Sequence, residues 1–246
     1  MFVEYGELST KFYELTKPIG TSVGGDIEYY YGQLKNVTGK ILEAGVGTGR
    51  IMIPLMQKGL QLEGVDLSAH MLWQCKVNLT KEGLEAVLVQ GDLTALNLPS
   101  KYEAIIMPTG SFCLLPKARV VETLNSFCNH LEKNGKLIID IELPLWFTPN
   151  QVTTKHCLID DKTGILFTAT AQNMDWHKQK TSYIHRYDLV ENGYVTKTEV
   201  SNFVLYWYGI DEFALLLEKC GYNKINYVIG YEKNPTASLV TFFAEK

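Results

Sequence analysis

The sequence lacks paired cysteines, and this excludes a fold held together by disulfides. Its five cysteines are odd in number and widely scattered, without C-x-x-C spacing and without a histidine at zinc-ligand spacing. We therefore interpret them as reduced thiols that fill small apolar spaces, and no metal site is predicted. The five are Cys75, Cys113, Cys128, Cys157 and Cys220.

A long apolar run is missing as well. The N-terminal segment MFVEYGELSTKFYELTKP interleaves Glu and Lys with apolar residues, so it lacks the apolar core of a secretory signal peptide. No apolar stretch approaches the roughly 20 residues that a helix needs to cross a bilayer. We therefore expect a cytoplasmic protein without a membrane partner.

Positive charge is not in excess either. The 23 Lys and Arg residues are outnumbered by 27 Asp and Glu residues, which gives a net charge of −4. A duplex nucleic-acid binder needs a dense basic face to neutralise phosphates, so nucleic acid is disfavoured as a partner. The content of 46% hydrophobic and 20% charged residues is typical of a globular protein, and the length of 246 residues fits a single domain with an insertion, residues 1–246.

Residues 40–143 alternate short apolar runs with helical patterns. The runs KILEA, QLEGVDL, AVLVQGD, YEAIIMP and KLIIDIEL each predict a strand. Before the last of them, apolar residues from Val120 to Leu131 recur at steps of four, three and four, which predicts an amphipathic helix. Apolar strands that alternate with helices are typical of a doubly wound α/β fold, in which a mostly parallel sheet is covered on both faces.

The pattern changes after residue 149. Three long segments, GILFTATAQNMDW, KTSYIHRYDLV and YVTKTEVSNFVLYWY, are rich in Thr, Tyr and Val, and the turn Glu191-Asn192-Gly193 is typical of a hairpin. We predict three antiparallel strands inserted within residues 150–208. The helical segment IDEFALLLEKCG and the strands KINYVIG and SLVTFFAEK then complete a seven-stranded sheet. Residues 1–38 contain two aromatic-rich helical stretches, which we expect to form a lid over the carboxyl edge of that sheet.

The first predicted strand ends in a glycine-rich turn. Its sequence is Glu43-x-Gly45-x-Gly47-x-Gly49, and glycines at such a bend allow positive φ and let a ligand lie against bare backbone. The dinucleotide fingerprint G-x-G-x-x-G is not matched, because the third glycine comes one position early and Arg50 stands in its place. No Walker sequence follows. The turn therefore fits neither standard pyrophosphate cradle, although a tight turn without any ligand is the competing interpretation.

Two acids occupy matching positions on the next strands. Asp66 ends the second strand and Asp92 the third. In an open α/β sheet the ligand lies outside the carboxyl ends of the strands, so both carboxylates face the binding crevice. The first can accept hydrogen bonds from a ribose diol and the second from the exocyclic amine of adenine. Asp92 could alternatively cap a following turn. Together the two acids predict an adenosine site without a pyrophosphate cradle.

These motifs resemble those of the class I S-adenosylmethionine-dependent methyltransferases. The segments ILEAGVGTGRI, GVDLSAHML, QGDL, EAIIMPTGSF and LEKNGKLIIDI correspond to the successive motifs of that family, over residues 40–143. The resemblance implies a Rossmann-like sheet and S-adenosylmethionine as the cofactor. It also implies that a methyl group is moved by in-line displacement.

The resemblance also assigns roles at the methionine end of the cofactor. Gly45, Gly47 and Gly49 would line the methionine moiety. Met107, which ends the fourth strand, would offer its carbonyl oxygen near the methionine ammonium. Arg50 would approach the methionine carboxylate from the start of the following helix.

At the adenosine end, Asp66 would bind the ribose hydroxyls and Leu67 would lie against the adenine. Asp92 and the backbone of Leu93 would bind the adenine edge.

Candidates for contact with the acceptor come from two regions. Tyr13 and Tyr29 lie on the N-terminal helical stretches, where this family's lids carry aromatic residues. Ser111 and Phe112 follow the fourth strand, where the family places groups that face the substrate. For the tyrosines, ordinary helix packing is the competing interpretation. No residue is assigned as a catalytic base, because a neutral amine acceptor needs none.

The inserted sheet is similar to that of the small-molecule branch of the family, which includes sugar-amine N-methyltransferases. With the acidic net charge, this favours methyl transfer to N or O of a small-molecule acceptor. Two alternatives stay open: a nucleic-acid or protein methyltransferase, and a non-catalytic regulatory protein that binds S-adenosylmethionine. We expect a monomer or a homodimer, because an exposed edge of the inserted sheet could pair between subunits.

Overall fold

The computed structural model describes residues 5–246, so the first four residues of the predicted lid lie outside the described residues. Within the described part of the chain, no helix is long and apolar enough to cross a membrane.

The elements follow one another in four groups. Two helices come first, α1 (Glu7–Thr16) and α2 (Asp26–Leu34). The next group is β1 (Lys40–Ala44), α3 (Met52–Gln57), β2 (Gln61–Asp66), α4 (Ala69–Lys81), β3 (Leu88–Gln90), β4 (Tyr102–Met107), α5 (Val120–His130) and β5 (Leu131–Glu142). The third group is β6 (Val152–Leu158), β7 (Thr163–Asp175), β8 (Lys180–Glu191) and β9 (Tyr194–Tyr206). The chain ends with α6 (Ile210–Lys219), β10 (Asn223–Ile229) and β11 (Leu239–Glu245).

The main sheet has seven strands in the order β10-β11-β5-β4-β1-β2-β3. Strands β1 to β5 pair in parallel, and β11 pairs antiparallel with both β5 and β10. The chain runs outward from β1 to β3 and then returns to the other side of β1. The connections therefore diverge above β1, which opens a crevice at the carboxyl edge. The predicted α/β fold with an additional antiparallel sheet is confirmed.

The strands of this sheet are apolar along their length because helices cover both faces. Ile41 and Leu42 in β1, Ile105 in β4 and Ile138 in β5 are at most 1% exposed. Helix α4 begins after Ser68, whose hydroxyl accepts a hydrogen bond from the backbone N–H of Met71 at 3.2 Å.

The inserted sheet has four strands, in the order β6-β7-β8-β9, so the prediction of three strands was wrong. The missed strand is β6, at the edge of the sheet. Nearly all of its side chains are exposed, so it shows no alternation of apolar and polar residues. Only pairing with β7 defines it as a strand.

Helix α1 joins the inserted sheet to the main domain. The carboxylate of Glu199 on β9 accepts hydrogen bonds from the backbone N–H groups of Leu8, at 2.9 Å, and Ser9, at 3.2 Å. Toward the main domain, the side-chain amide of Asn78 in α4 donates to the carboxylate of Glu14 at 3.1 Å. Helix α1 therefore spans the crevice between the two sheets.

Helix α2 is held to the end of the glycine turn by a buried ion pair. The guanidinium of Arg50 lies 2.6 Å from the carboxylate of Asp26, and the two side chains are 4% and 0% exposed. A second guanidinium nitrogen donates to the carbonyl oxygen of Thr21 at 2.8 Å.

A third buried charge-bearing group, Glu43, lies close to this pair. Burial raises the pKa of its carboxyl group to about 8, with further raising contributions from Asp26 and Asp66 and an opposing one from Arg50. Its Oε2 atom has no hydrogen-bond partner among the described residues. At neutral pH the protonated form of Glu43 therefore predominates.

Removal of one partner of the buried pair should be costly. Asp26→Asn would leave the Arg50 guanidinium buried without a counter-charge, so we expect the free energy of unfolding to fall by about 3–5 kcal/mol. Urea unfolding followed by tryptophan fluorescence measures this loss. The control is Lys40→Met, which breaks the exposed ion pair with Glu63 and should cost less than about 1 kcal/mol. Equal small losses in both variants would contradict the prediction.

Glu43 should make the protein less stable as the pH rises. Its pKa is raised from 4.5 to about 8 in the folded state, so the folded protein holds a proton that the unfolded chain has lost within this window. Stability should therefore fall between these two pH values, with a slope of up to about 1.4 kcal/mol per pH unit from this one group. Glu43→Gln mimics the protonated form and should remove that slope.

The measurement is urea unfolding of both proteins at several pH values, with the difference between them plotted against pH. Other titrating groups contribute to both proteins and cancel in the difference. A flat difference would show that Glu43 titrates alike in the folded and unfolded chains.

Candidate functional site

A cavity of about 1000 Å³ opens at the carboxyl edge of the main sheet. The glycine turn and the ends of β2, β3 and β4 form one half of its wall. Helix α1, strand β9 and the end of β5 form the other half. A volume of this size is typical of a small-molecule site.

The glycine turn presents bare backbone to the cavity. Gly45 and Gly47 have φ of +77° and +57°, a region that favours glycine. A Cβ atom added at Gly47 would meet nothing within 4 Å, so this face of the turn is open. Two N–H groups of the turn already form hydrogen bonds within the protein. The N–H of Gly45 donates to the carbonyl oxygen of Val65 at 2.7 Å, and the N–H of Gly47 donates to the carboxylate of Asp66 at 2.8 Å. The turn can therefore pack closely against a ligand, but these N–H groups are not available to bind an anion.

Asp66 connects the end of β2 to both neighbouring segments. One carboxylate oxygen accepts the N–H of Gly47 and the other accepts that of Ser68, each at 2.8 Å. Burial raises the pKa of Asp66 above its ordinary value, although these backbone N–H groups oppose the rise. A carboxylate oxygen can accept more than one hydrogen bond, so each oxygen can still receive a ligand hydroxyl.

Asp92 caps the turn that follows β3. Its Oδ1 atom accepts the backbone N–H of Thr94 at 2.8 Å, and this N–H holds the pKa of Asp92 below its ordinary value. A carboxylate oxygen can accept more than one hydrogen bond, so Asp92 can accept a further one from a ligand. Capping and ligand binding are therefore compatible at this residue. Leu67, whose side chain is 69% exposed, lies on the same wall of the cavity and offers an apolar surface.

The loop after β4, which forms the floor between the two halves, is anchored by a buried acid. Asp140 in β5 accepts hydrogen bonds from the hydroxyls of Tyr231 and Thr241 and from the backbone N–H of Thr109, each at 2.7 Å. Burial raises the pKa of Asp140 to about 6. These bonds fix the loop that carries Ser111 against the glycine turn.

Most of the predicted site residues line this cavity. They are Gly45, Gly47, Asp66, Leu67, Asp92, Leu93, Met107, Tyr13 and Ser111. The structure thus places the residues predicted to bind the cofactor and two of those predicted to contact an acceptor around one cavity.

Gly49 and Arg50 lie outside the cavity wall. A Cβ atom at Gly49 would come within 2.9 Å of the Cys75 sulfur, so this glycine allows the turn to pack against α4. Arg50 lies behind the wall, where it pairs with Asp26 and its Nε atom donates a hydrogen bond to the hydroxyl of the cavity residue Tyr13 at 3.4 Å. Its contact with a ligand carboxylate stays a prediction.

Tyr29 and Phe112 also lie outside the wall. The ring of Tyr29 packs against that of Tyr231, with centroids 4.9 Å apart. Phe112 is 0% exposed and packs edge-on against Phe213 at 5.1 Å. Both side chains pack against other aromatic rings, and their contact with an acceptor stays a prediction.

The cavity wall also contains residues that the sequence did not single out. They are Lys17, His70, Arg119, Glu142, Asn202, Phe203, Val204 and Leu205. Glu142 could have been found, because it ends β5 as Asp66 ends β2. The residues of β9 could not, since their approach to the glycine turn depends on how the inserted sheet folds back. Among residues 5–246, no group of three or more potential metal ligands comes together.

Comparison with known proteins agrees with this geometry. The sequence profile of a family described as a methyltransferase domain matches residues 41–135. Over 61 residues the chain is 43% identical to the ribosomal RNA small subunit methyltransferase C of Shewanella amazonensis, covering 24% of this chain and 18% of the relative. Over 104 residues it is 31% identical to a phosphatidylethanolamine N-methyltransferase of Cereibacter sphaeroides, covering 41% and 49%. The chain spans less than half the length of these relatives.

A solved structure is similar over nearly the whole chain. The sugar N-methyltransferase KedS8 from Streptoalloteichus sp. superposes with a TM-score of 0.80 at 16% identity, covering 100% of this chain and 95% of that protein. The similarity includes the inserted sheet as well as the α/β domain. The matched profile shows a methyltransferase domain at residues 41–135, and the structural similarity shows that the chain shares the fold of KedS8 over nearly its whole length.

Proposed function

We propose that this protein transfers a methyl group from S-adenosylmethionine to a nitrogen or oxygen atom of a small-molecule acceptor. The observation that carries the proposal is the single cavity that joins the glycine turn, Asp66 and Asp92 to a wall made by α1 and β9. One half fits the cofactor, and the other half leaves enclosed space beside it.

The cofactor half is a set of complementary contacts. Asp66 would accept hydrogen bonds from the ribose hydroxyls, and Asp92 would accept one from the adenine amine. Leu67 and Leu93 would enclose the adenine ring, and the open face of Gly47 would allow close approach of the methionine chain. When bound, the cofactor supplies a methyl group on a positively charged sulfur, which is already a strong electrophile.

The acceptor half contributes position and exclusion of water. Tyr13 on α1, Ser111 on the loop after β4 and Phe203 on β9 line it from three sides. Fixing two reactants in contact distance replaces a bimolecular encounter by a unimolecular step, which can lower the barrier by about 7–11 kcal/mol. The residues of this half therefore act by orientation, and the proposal requires no dedicated base.

The names of the similar proteins support a small acceptor. KedS8 is named as a sugar N-methyltransferase, and its similarity extends over the inserted sheet that forms part of the acceptor wall here. The ribosomal RNA methyltransferase favours a nucleic-acid acceptor instead, but its similarity covers only 24% of this chain. The net charge of −4 also disfavours a large polyanion.

Loss of the Asp66 carboxylate should abolish most of the affinity for the cofactor. Two hydrogen bonds to a charged group contribute about 1.5–3 kcal/mol each, so Asp66→Ala should weaken binding of S-adenosylmethionine by at least about 100-fold. Isothermal titration calorimetry measures the affinity, and circular dichroism verifies the fold.

The matched control is Asp161→Ala, which removes an exposed carboxylate in the connection between β6 and β7, outside the cavity wall, and should leave the affinity unchanged. Unchanged affinity in Asp66→Ala would reject the assignment of the cofactor site. Tight binding of the cofactor without turnover on any acceptor would favour the regulatory alternative.

A further inference from the structure

One carboxylate in the cavity wall has no role in cofactor binding. Glu142 is the last residue of β5, so its side chain stands at the carboxyl edge of the sheet, in the acceptor half of the cavity. The other acids of the wall, Asp66 and Asp92, belong to the cofactor half.

The position of Glu142 relative to the glycine turn follows from two close approaches. A Cβ atom built at Gly45 would lie 3.7 Å from the Cβ of Ser111, so the loop after β4 passes directly beside the turn. A Cβ atom built at the preceding residue of that loop, Gly110, would lie 3.8 Å from Oε2 of Glu142. The carboxylate is therefore separated from the cofactor turn by the width of one loop.

The hydrogen bonding of Glu142 is incomplete. Its Oε1 atom accepts a hydrogen bond from the hydroxyl of Ser238, which fixes the orientation of the carboxylate. Within residues 5–246, Oε2 accepts no hydrogen bond, and Glu142 forms no ion pair. Burial raises the pKa of Glu142 above its ordinary value, and the hydrogen bond from Ser238 opposes this rise.

The cationic side chains of the cavity wall are engaged elsewhere. Arg119 pairs with Glu122 on α5. The ammonium of Lys17 lies over the ring of Tyr13, 5.1 Å from its centroid, and burial lowers its pKa. A partly buried carboxylate without a counter-charge is costly, and a cation supplied by a ligand would remove that cost.

Aromatic rings near the carboxylate suit the same kind of ligand. The ring of Phe203 faces the cavity from β9. On β8, burial and the negative charge of Glu142 both raise the pKa of the Tyr183 hydroxyl, which stays neutral. The thiol of Cys113, held by a hydrogen bond to the backbone of Glu142, is likewise neutral because burial raises its pKa to about 12. A cation between a carboxylate and aromatic faces gains from both.

We infer that Glu142 is the binding residue for a protonated amine of the methyl acceptor, which makes the acceptor class a primary or secondary amine and not an alcohol. The inference rests on the proposed function, because it assigns the specificity of the same cavity. The Oε2 atom accepts one N–H of the ammonium, while Ser238 holds the opposite oxygen in place. Before transfer, one proton would pass from the ammonium to solvent water, because only the neutral nitrogen has the lone pair that forms the new C–N bond as the methyl–sulfur bond breaks. An N–H that stays on Oε2 would keep the neutral nitrogen oriented. A hydroxyl acceptor offers no charge to this carboxylate.

The test compares amines with alcohols of the same skeleton. The protein is saturated with S-adenosylhomocysteine and titrated with benzylamine against benzyl alcohol, and with cyclohexylamine against cyclohexanol, followed by ligand-observed NMR. We expect the wild-type protein to bind each amine at least tenfold more tightly than its alcohol. Glu142→Gln should remove this preference, and Glu142→Asp, which keeps the charge, should retain it in part.

The matched control is Glu132→Gln, an exposed acid on the same strand β5, which should keep the full preference. Equal affinity for amines and alcohols, or no binding of any amine, overturns the inference. Affinity for S-adenosylhomocysteine is measured in every variant. If the wild-type protein binds S-adenosylhomocysteine but shows no preference for amines, only the role of Glu142 is rejected. If the wild-type protein does not bind S-adenosylhomocysteine, the proposed function itself is rejected.

Discussion

The hydrogen bonds of the Asp66 carboxylate determine the arrangement of the cofactor half of the cavity. One oxygen holds the N–H of Gly47 and the other holds that of Ser68, so a single side chain joins the glycine turn, the end of β2 and the start of α4. The turn can then present its open backbone face only toward the cavity. Because β4 returns to the opposite side of β1, the crevice above this turn stays free of connecting chain.

The two halves of the cavity differ in how far apart their residues lie along the chain. The cofactor half comes from one continuous stretch, between the glycine turn and the end of β4. The acceptor half requires α1 at one end of the chain and β9 near the other, joined by the contacts of Leu8 and Ser9 with Glu199. Similarity confined to residues 41–135 therefore identifies the cofactor and says little about the acceptor.

The same difference explains what could be predicted from the sequence. The strands of the main sheet and the positions of Asp66 and Asp92 follow from local periodicity and from the rule that ligands bind at strand ends. Strand β6 was missed because its exposed side chains carry no periodic signal. Arg50 was assigned to the ligand from its position in the motif, and that assignment stays a prediction. Its ion pair with Asp26 joins residues far apart in the sequence, which motif spacing cannot reveal.

The packing of Gly49 against Cys75 has a consequence for the chemistry of the free protein. The thiol of Cys75 is 0% exposed, and burial raises its pKa to about 12, so it has almost no reactive thiolate while the turn is closed. Alkylating reagents therefore react first with Cys128 and Cys157, which are only partly buried. Because Gly49 packs against the sulfur of Cys75, the labelling rate of this thiol should report how often the contact between the glycine turn and α4 opens.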